Sequence, residues 1–379
     1  MPLSRSADWK LSLRFAKNFL FLLCIFSAFA ATTGIQKAVE AWAEADANIA
    51  GTLLHGLGQS TQMKASTVAT GQFAITILPA CTAGELVWIL MAAICAFPTT
   101  IARKFIGVAF ATSAIAALNI FRIVSVFIIG VYRNDWFYVV HEEIWSGLNV
   151  LAVTAIVMAW ILWAYGPHKR AVMATDLISR KKVIGFYVRF AFCFSIGFAA
   201  SWLGLADRCE AAFRAVETSI SSSATGVREI DFERLSSSDT RIVIVNRALM
   251  NPDGSGPVRN LDVDTRCAVW LPSCVFIALV LAGPPSWRLR VWSLAFGLLA
   301  LLGLLLLIIE FAIWNNSTEV ELVVLSHFWK CAAEGIQVDL QAFSYVGAPV
   351  LLWTLLGFRR ANFICENDAN GVQTAGYGH

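Results

Sequence analysis

Charge is what this sequence lacks. Asp, Glu, Lys and Arg make up only 15% of its 379 residues, against about 25% in an ordinary soluble domain. The 29 basic and 26 acidic residues leave a net charge of +3, too small and too scattered to make the basic face that nucleic acid requires, so that partner is excluded. Histidine is scarce as well. The five present include no His-x-x-x-His pair, and the nine cysteines no Cys-x-x-Cys, so zinc-type ligand spacing is missing and no metal or cofactor is expected. There is also no small-x-small cleavage site followed by a polar mature region. The basic Arg5, Lys10, Arg14 and Lys17 ahead of the apolar run 19–31 therefore predict a retained first helix rather than a removed signal peptide.

Apolar residues fill the space that charge leaves: 58% of the chain is hydrophobic. Runs of about 20 apolar residues are the signal of a membrane-crossing helix. They occur near 15–33, 73–97, 105–131, 144–165, 183–205, 268–283, 291–312 and 340–358, the sixth being short. The expected fold is an all-α polytopic membrane protein of about eight transmembrane helices. Lysine and arginine accumulate in cytoplasmic loops. Here they mark every second connection, at Arg103 and Lys104, between Lys169 and Lys182, at Arg288 and Arg290, and at Arg359 and Arg360. Both termini are therefore expected in the cytoplasm and the membrane itself is a partner.

Four regions follow: a transmembrane part over 1–166, a basic linker over 167–182, a second transmembrane part over 183–360 and a polar, Gly-rich disordered tail over 361–379. Within the second part, 206–267 is the one sizeable segment expected outside the membrane. Cys209, Ala212, Phe213 and Val216 have helical apolar spacing, Arg241 to Val245 reads as a strand, and Asn251-Pro-Asp-Gly254 supplies a turn. A small extracytoplasmic α/β insertion is the result.

Three chemically capable side chains fall at similar depth on the outer side. Cys81 lies near the outer end of the second run, His141 just before the fourth, and Arg122 inside the third, about 14 Å before its outer end at 1.5 Å per residue. An arginine in hydrocarbon costs about 2.5–3.5 kcal/mol on insertion scales and marks a functional site by default. Asn119, one turn earlier, shares its face. A guanidinium or imidazolium lowers a thiol pKa. Cys81 could thus attack a peptide carbonyl, His141 carry the proton, and Arg122 stabilise the oxyanion or hold the substrate. Two of the three also have a plain reading, Cys81 as a core thiol behind a helix-starting Pro79 and His141 as an interfacial cap, while Arg122 is harder to dismiss.

The stretch from Ala80 to Tyr165 resembles the exosortase/archaeosortase family, most closely exosortase H. The resemblance rests on Ala80-Cys81, Ala92-Ala-Ile-Cys-Ala-Phe-Pro98, Arg103-Lys104, Asn119-Ile-Phe-Arg122-Ile-Val124 and Phe137-Tyr-Val-Val-His141-Glu142. It implies a sortase-like membrane thiol protease or transpeptidase of the bacterial inner membrane, with Cys81, Arg122 and His141 catalytic and the site facing the periplasm. Its substrates would be exported proteins with a C-terminal sorting signal, namely a short motif, an apolar helix and a basic tail. Where the family usually has glycine two residues after the cysteine, this chain has Ala83, with Gly84 next. The second half looks like the membrane proteins that accompany exosortase H, which would make the chain a fusion.

The 60-residue interval from Cys81 to His141 recurs from Cys267 to His327, with Ile308 at the place of Arg122. Duplication and coincidence both account for it. Two other readings of the whole chain stand beside the enzyme: a transporter in which Arg122 binds an anion, and a non-enzymatic assembly protein of the export machinery acting through 206–267.

Overall fold

A computed structural model describes residues 6–30, 32–164, 180–221, 228–234, 239–251, 255–264, 266–283 and 287–326, with further positions between 329 and 356. The chain is mostly helical and divides into two compact units. One comprises Phe19–Val183 with Ser326–Ala342, the other Met1–Asn18, Ile184–Leu325 and Phe343–His379. Among the described residues, four helical stretches are long and apolar enough to cross a membrane: Ile101–Tyr132, Val139–Ala164, Ile184–Leu203 and Trp287–Asn316. They coincide with the runs at 105–131, 144–165, 183–205 and 291–312. The remaining runs do not add up to the expected eight. The run at 15–33 lies mostly in α1 (Ser6–Ala30), which is not one of the four. That at 268–283 forms a shorter apolar helix, Cys267–Ala282. Parts of 340–358, residues 165–179 with most of the basic linker 167–182, and the tail beyond 356 lie outside the described residues.

Two expectations for the first unit are corrected. Residues 34–72, which no apolar run covers, hold helix α2 (Thr33–Gly56) and a hairpin. The helix escaped notice because its buried stripe is mostly small, Ala43, Ala47, Ala50 and Leu54, with the carboxyl group of Asp46 among them. The run at 73–97 is not one helix either. It contains β3 (Ala74–Thr76), a tight turn at Pro79–Thr82 and α3 (Gly84–Ala96). Pro79 opens the turn with its fixed φ, and Ala83, at φ 55° in the left-handed region, breaks the path between turn and helix. Thirteen residues at 1.5 Å each make α3 about 20 Å long, short of the ~30 Å hydrocarbon layer.

Strands β1 (Gln62–Lys64), β2 (Thr67–Ala69) and β3 form an antiparallel sheet in that order, with Val68 opposite Ile75. Its inner face, Val68 and Ile77, joins the α2 stripe and Ile123, Val124 and Phe127 of α4 (Ile101–Tyr132) in one apolar core. Helix α5 (Trp145–Ala164) is preceded by a wide π turn over Val139–Ile144. Gly107 lets α4 approach the indole of Trp160 on α5, since a Cβ there would fall 2.1 Å from Nε1. The basic pair that marked a cytoplasmic loop also closes helix ends: Arg103 Nη1 donates to Ala164 O at 2.6 Å and Lys104 Nζ to Cys95 O at 2.5 Å. Cations there complement the carbonyl-rich ends of α5 and α3.

The second unit contains α6 (Arg180–Ala199), α7 (Leu205–Ser221), strands β4 (Arg228–Arg234), β5 (Asp239–Asn246) and β6 (Val258–Asp264), then α8 (Leu271–Ala282) and α9 (Trp287–Asn316). The expected helix at 209–216, the strand at 241–245 and the hairpin that follows are all present, as α7, β5 and the β5–β6 pair. Strand β4, unforeseen, pairs with β5 over seven positions and buries Ile230 beside Ile242 and Ile244. Arg241 pairs with Asp262 directly across the β5–β6 ladder at 2.8 Å.

The two halves of the chain share an element order: helix, helix, three-stranded antiparallel sheet, short apolar helix, long apolar helix. Helices α4 and α9 begin at Ile101 and Trp287, the same offset that relates Cys81 to Cys267. In α9, Ile308 is buried where α4 carries Arg122; His327 lies outside the described residues. The shared order favours duplication over coincidence as the origin of the 60-residue echo.

Candidate active site

Cys81, Arg122 and His141 come together in the first unit. Cys81 is held by the turn between β3 and α3, where its backbone N donates to Leu78 O at 2.8 Å. Thr82, fully buried, locks the same turn by donating from Oγ1 to Pro79 O at 2.8 Å. Arg122 projects from α4 and His141 from the π turn that opens α5. The extra residue of a π turn re-aims side chains, which suits a functional position. Trp145 Nε1 donates to Ser125 Oγ at 3.1 Å, and Ser125 Oγ donates to Arg122 O at 2.9 Å, tying the start of α5 to α4 at the level of the site.

Arg122 Nη2 stands 3.3 Å from His141 Nε2, and His141 Nδ1 is 2.7 Å from Glu142 Oε1. An ionised carboxylate only accepts, so Nδ1 carries the hydrogen and Nε2 of the neutral ring is left with a lone pair. The same imidazole is hydrogen-bonded to Cys81. Phe137 stacks flat on the ring at 5.6 Å, and Phe73 packs edge-on against Phe137 at 5.4 Å. Gly130 makes room for Phe73, because a Cβ there would fall 2.2 Å from its ring. The imidazole is thus fixed by a carboxylate at one nitrogen and an aromatic face.

Cys81 lies in the turn, outside the membrane-length helices. The hydrogen bond with His141 is the main cause that holds its thiol below the usual cysteine range. Burial opposes it, while the Leu78 backbone N–H and the charge of Arg122 add to the lowering. The thiolate, not the thiol, is the nucleophile. A lowered pKa moves the rise of thiolate to lower pH, so alkylation of Cys81 by iodoacetamide is expected to inflect below the ~8.5 of a free cysteine. In His141→Ala the inflection moves up and the rate at pH 7 falls by about tenfold or more. Peptide mapping of the adduct against pH checks both.

The three side chains open on a cavity of about 300 Å³ lined by Ala74 to Leu78 on one side and by Arg122, Ile123, Val126 and Phe137 on the other. Asn119, expected as a supporting polar neighbour of Arg122, is turned away from this cavity. Its Nδ2 donates to Asp46 Oδ2 at 2.9 Å, and both residues are only 3% exposed. Burial raises the Asp46 carboxyl above its ordinary value, while bonds from Asn119 and Trp42 pull it down. Asn119 therefore joins α4 to α2. Asn119→Leu strips a buried carboxyl of a partner and is expected to cost about 1–3 kcal/mol, read as lower thermal stability in detergent.

Glu142 was quoted in the sequence only as a neighbour of His141, and Asp46 not at all. Adjacent residues on a regular helix diverge by about 100°, so nothing in the pattern joined Glu142 to the imidazole. Asp46 sat between the first two apolar runs, where no helix was expected. No protein-family model, curated protein or solved structure matches this chain.

Proposed function

We propose that the first unit is a membrane-embedded cysteine peptidase or transpeptidase of the exosortase type, acting on C-terminal sorting signals of exported proteins. The observation that carries this reading is one imidazole in contact with both a lowered-pKa thiol and an intramembrane guanidinium, at the wall of a cavity.

In the first step the Cys81 thiol proton passes to His141 Nε2, and Sγ attacks the substrate carbonyl carbon. The oxyanion that forms is stabilised by the Arg122 fork. The imidazolium, oriented by Glu142, then gives its proton to the leaving amine as the C–N bond breaks, leaving a thioester on Cys81. Water or an acceptor nucleophile next attacks the thioester, His141 takes its proton, and the thiol is restored. Hydrolysis and transfer differ only in that second nucleophile.

The reading extends to topology. With both termini in the cytoplasm of a bacterial cell, Arg103 and Lys104, at the start of α4, lie on the cytoplasmic side of the inner membrane. The Cys81 site, farther along α4, then faces the periplasm. In this arrangement the second half is a companion module without its own nucleophilic site, since Ile308 replaces the arginine.

The test is capture of the intermediate. Membranes containing the protein are mixed with an exported protein of the same cell that ends in motif, apolar helix and basic tail, and hydroxylamine is added. A substrate hydroxamate, together with a substrate–Cys81 adduct by mass spectrometry, is the expected result. Anion flux through vesicles with no adduct would instead support the transporter reading.

A further inference from the structure

The strand beside the nucleophile has an unused edge. In the sheet order β1-β2-β3, β3 is paired on one side only among the described residues. Its register fixes which backbone groups face outward. Thr70 N donates to Phe73 O at 2.7 Å and Ile77 N to Ser66 O at 2.8 Å. Phe73, Ile75 and Ile77 therefore direct their backbone groups at β2. Ala74, Thr76 and Leu78, which alternate with them, direct theirs away. The Ile75 and Ile77 side chains meanwhile join the core, leaving Ala74, Thr76 and Leu78 exposed.

Two independent facts place this outward row at the site. All residues from Ala74 to Leu78 line the cavity that holds Cys81, Arg122 and His141. The row also runs directly into the nucleophile's turn, where Cys81 N donates to Leu78 O at 2.8 Å. A row of main-chain donors and acceptors that ends on a nucleophile is the arrangement that captures an extended polypeptide by strand addition.

We propose that the outward edge of β3, through the backbone groups of Ala74 and Thr76, binds the substrate as an added β-strand and delivers its scissile carbonyl to Cys81. The inference rests on the reading of Cys81 as a catalytic thiol. The occupant is the extended segment next to the scissile bond, two to three residues at about 3.3 Å each. Main-chain pairing does not depend on side chains, so the edge supplies register and sequence preference comes from the opposite wall, Ile123, Val126 and Phe137.

The probe is acetyl-tetra-alanyl chloromethyl ketone, applied to the full chain in membranes, with chloroacetone as the small comparison reagent and iodoacetamide as the reporter of thiol reactivity. Sγ bonds to the chloromethyl carbon and chloride leaves. The peptidyl reagent is expected to label Cys81 at least about tenfold faster than chloroacetone, through several main-chain hydrogen bonds. Single N-methylation along the peptide removes that advantage at every second residue and spares the residues between, because a strand presents alternate N–H groups to its neighbour. Thr76→Pro deletes an outward N–H and keeps the backbone bonds to β2; measured against Thr76→Val, which loses only the hydroxyl contact with Thr67 at 3.0 Å, it removes the peptidyl advantage over chloroacetone.

An N-methyl scan with no two-residue period on the unaltered protein, or a Thr76→Pro variant that keeps the full advantage, overturns strand addition even where iodoacetamide still finds a low-pKa Cys81. A Cys81 inert to iodoacetamide at neutral pH instead removes the catalytic thiol, and the proposal with it.

Discussion

Cys81→Ala is expected to stop substrate processing, a loss of at least about a thousandfold, since a nucleophile that forms the covalent intermediate has no substitute in the same site. The protein should still insert and fold. The turn that carries Cys81 is held by Pro79, by the Thr82 hydroxyl and by backbone bonds, none of which uses the sulfur. Cys81→Ser is nearly as damaging, because a hydroxyl remains protonated where a thiol beside His141 and Arg122 ionises. Accumulation of uncleaved substrate at normal enzyme abundance, followed by immunoblot, is the measurement. Normal processing by Cys81→Ala would remove the acyl-enzyme route.

Arg122→Ala is expected to lower the processing rate by about 10²–10³, the effect of losing one oxyanion donor. It should at the same time ease membrane insertion, by up to the ~2.5–3.5 kcal/mol that an intramembrane arginine costs. Opposite signs on activity and insertion separate a functional arginine from a structural one, whose loss would harm both. Arg122→Lys keeps the charge but not the planar fork. It should retain the lowering of the Cys81 pKa that comes from charge and lose most of the rate. Single-turnover cleavage and glycosylation-tag insertion assays, run on the same variants, read the two effects.

The shared element order bears on the second half. If Ile308 stands where an arginine once stood, restoring charge alone does not make a second active site, because α9 buries Ile308 among apolar residues. In the proposed enzyme, the Cys81 site of the first half depends on a set of coupled supports. Glu142 and Phe137 hold the imidazole, and Ser125 with Trp145 hold α5 against α4.

Of the eight long apolar runs, four are membrane-length helices among the described residues, a pattern compatible with a membrane protein because hydrocarbon imposes its length on any helix that crosses it. Arg122 was legible for a related reason: an ionisable group is rare in such a run and must have a partner, whereas His141, just before the fourth run, reads equally well as an interfacial cap. Cys81 was legible only through its neighbours, since a lone thiol in an apolar run reads equally well as packing. Not legible were helix α2, whose buried stripe is alanine, and the break of the 73–97 run into strand, turn and short helix. Composition there reports burial but not conformation, and Pro79 and a left-handed Ala83 decide the path.

By itself, then, the sequence determined the solvent this chain is built for and which side chains are costly enough there to need a purpose. Tertiary structure decided what those side chains face. It gave Asn119 to Asp46 and His141 to Cys81, Arg122 and Glu142, and it set the unpaired edge of β3 beside the sulfur. The cost of burying a charge is local and can be read along one segment. Its compensation comes from segments distant in the chain, whose approach depends on close packing of small residues and on hydrogen-bond register, neither of which leaves a periodic trace.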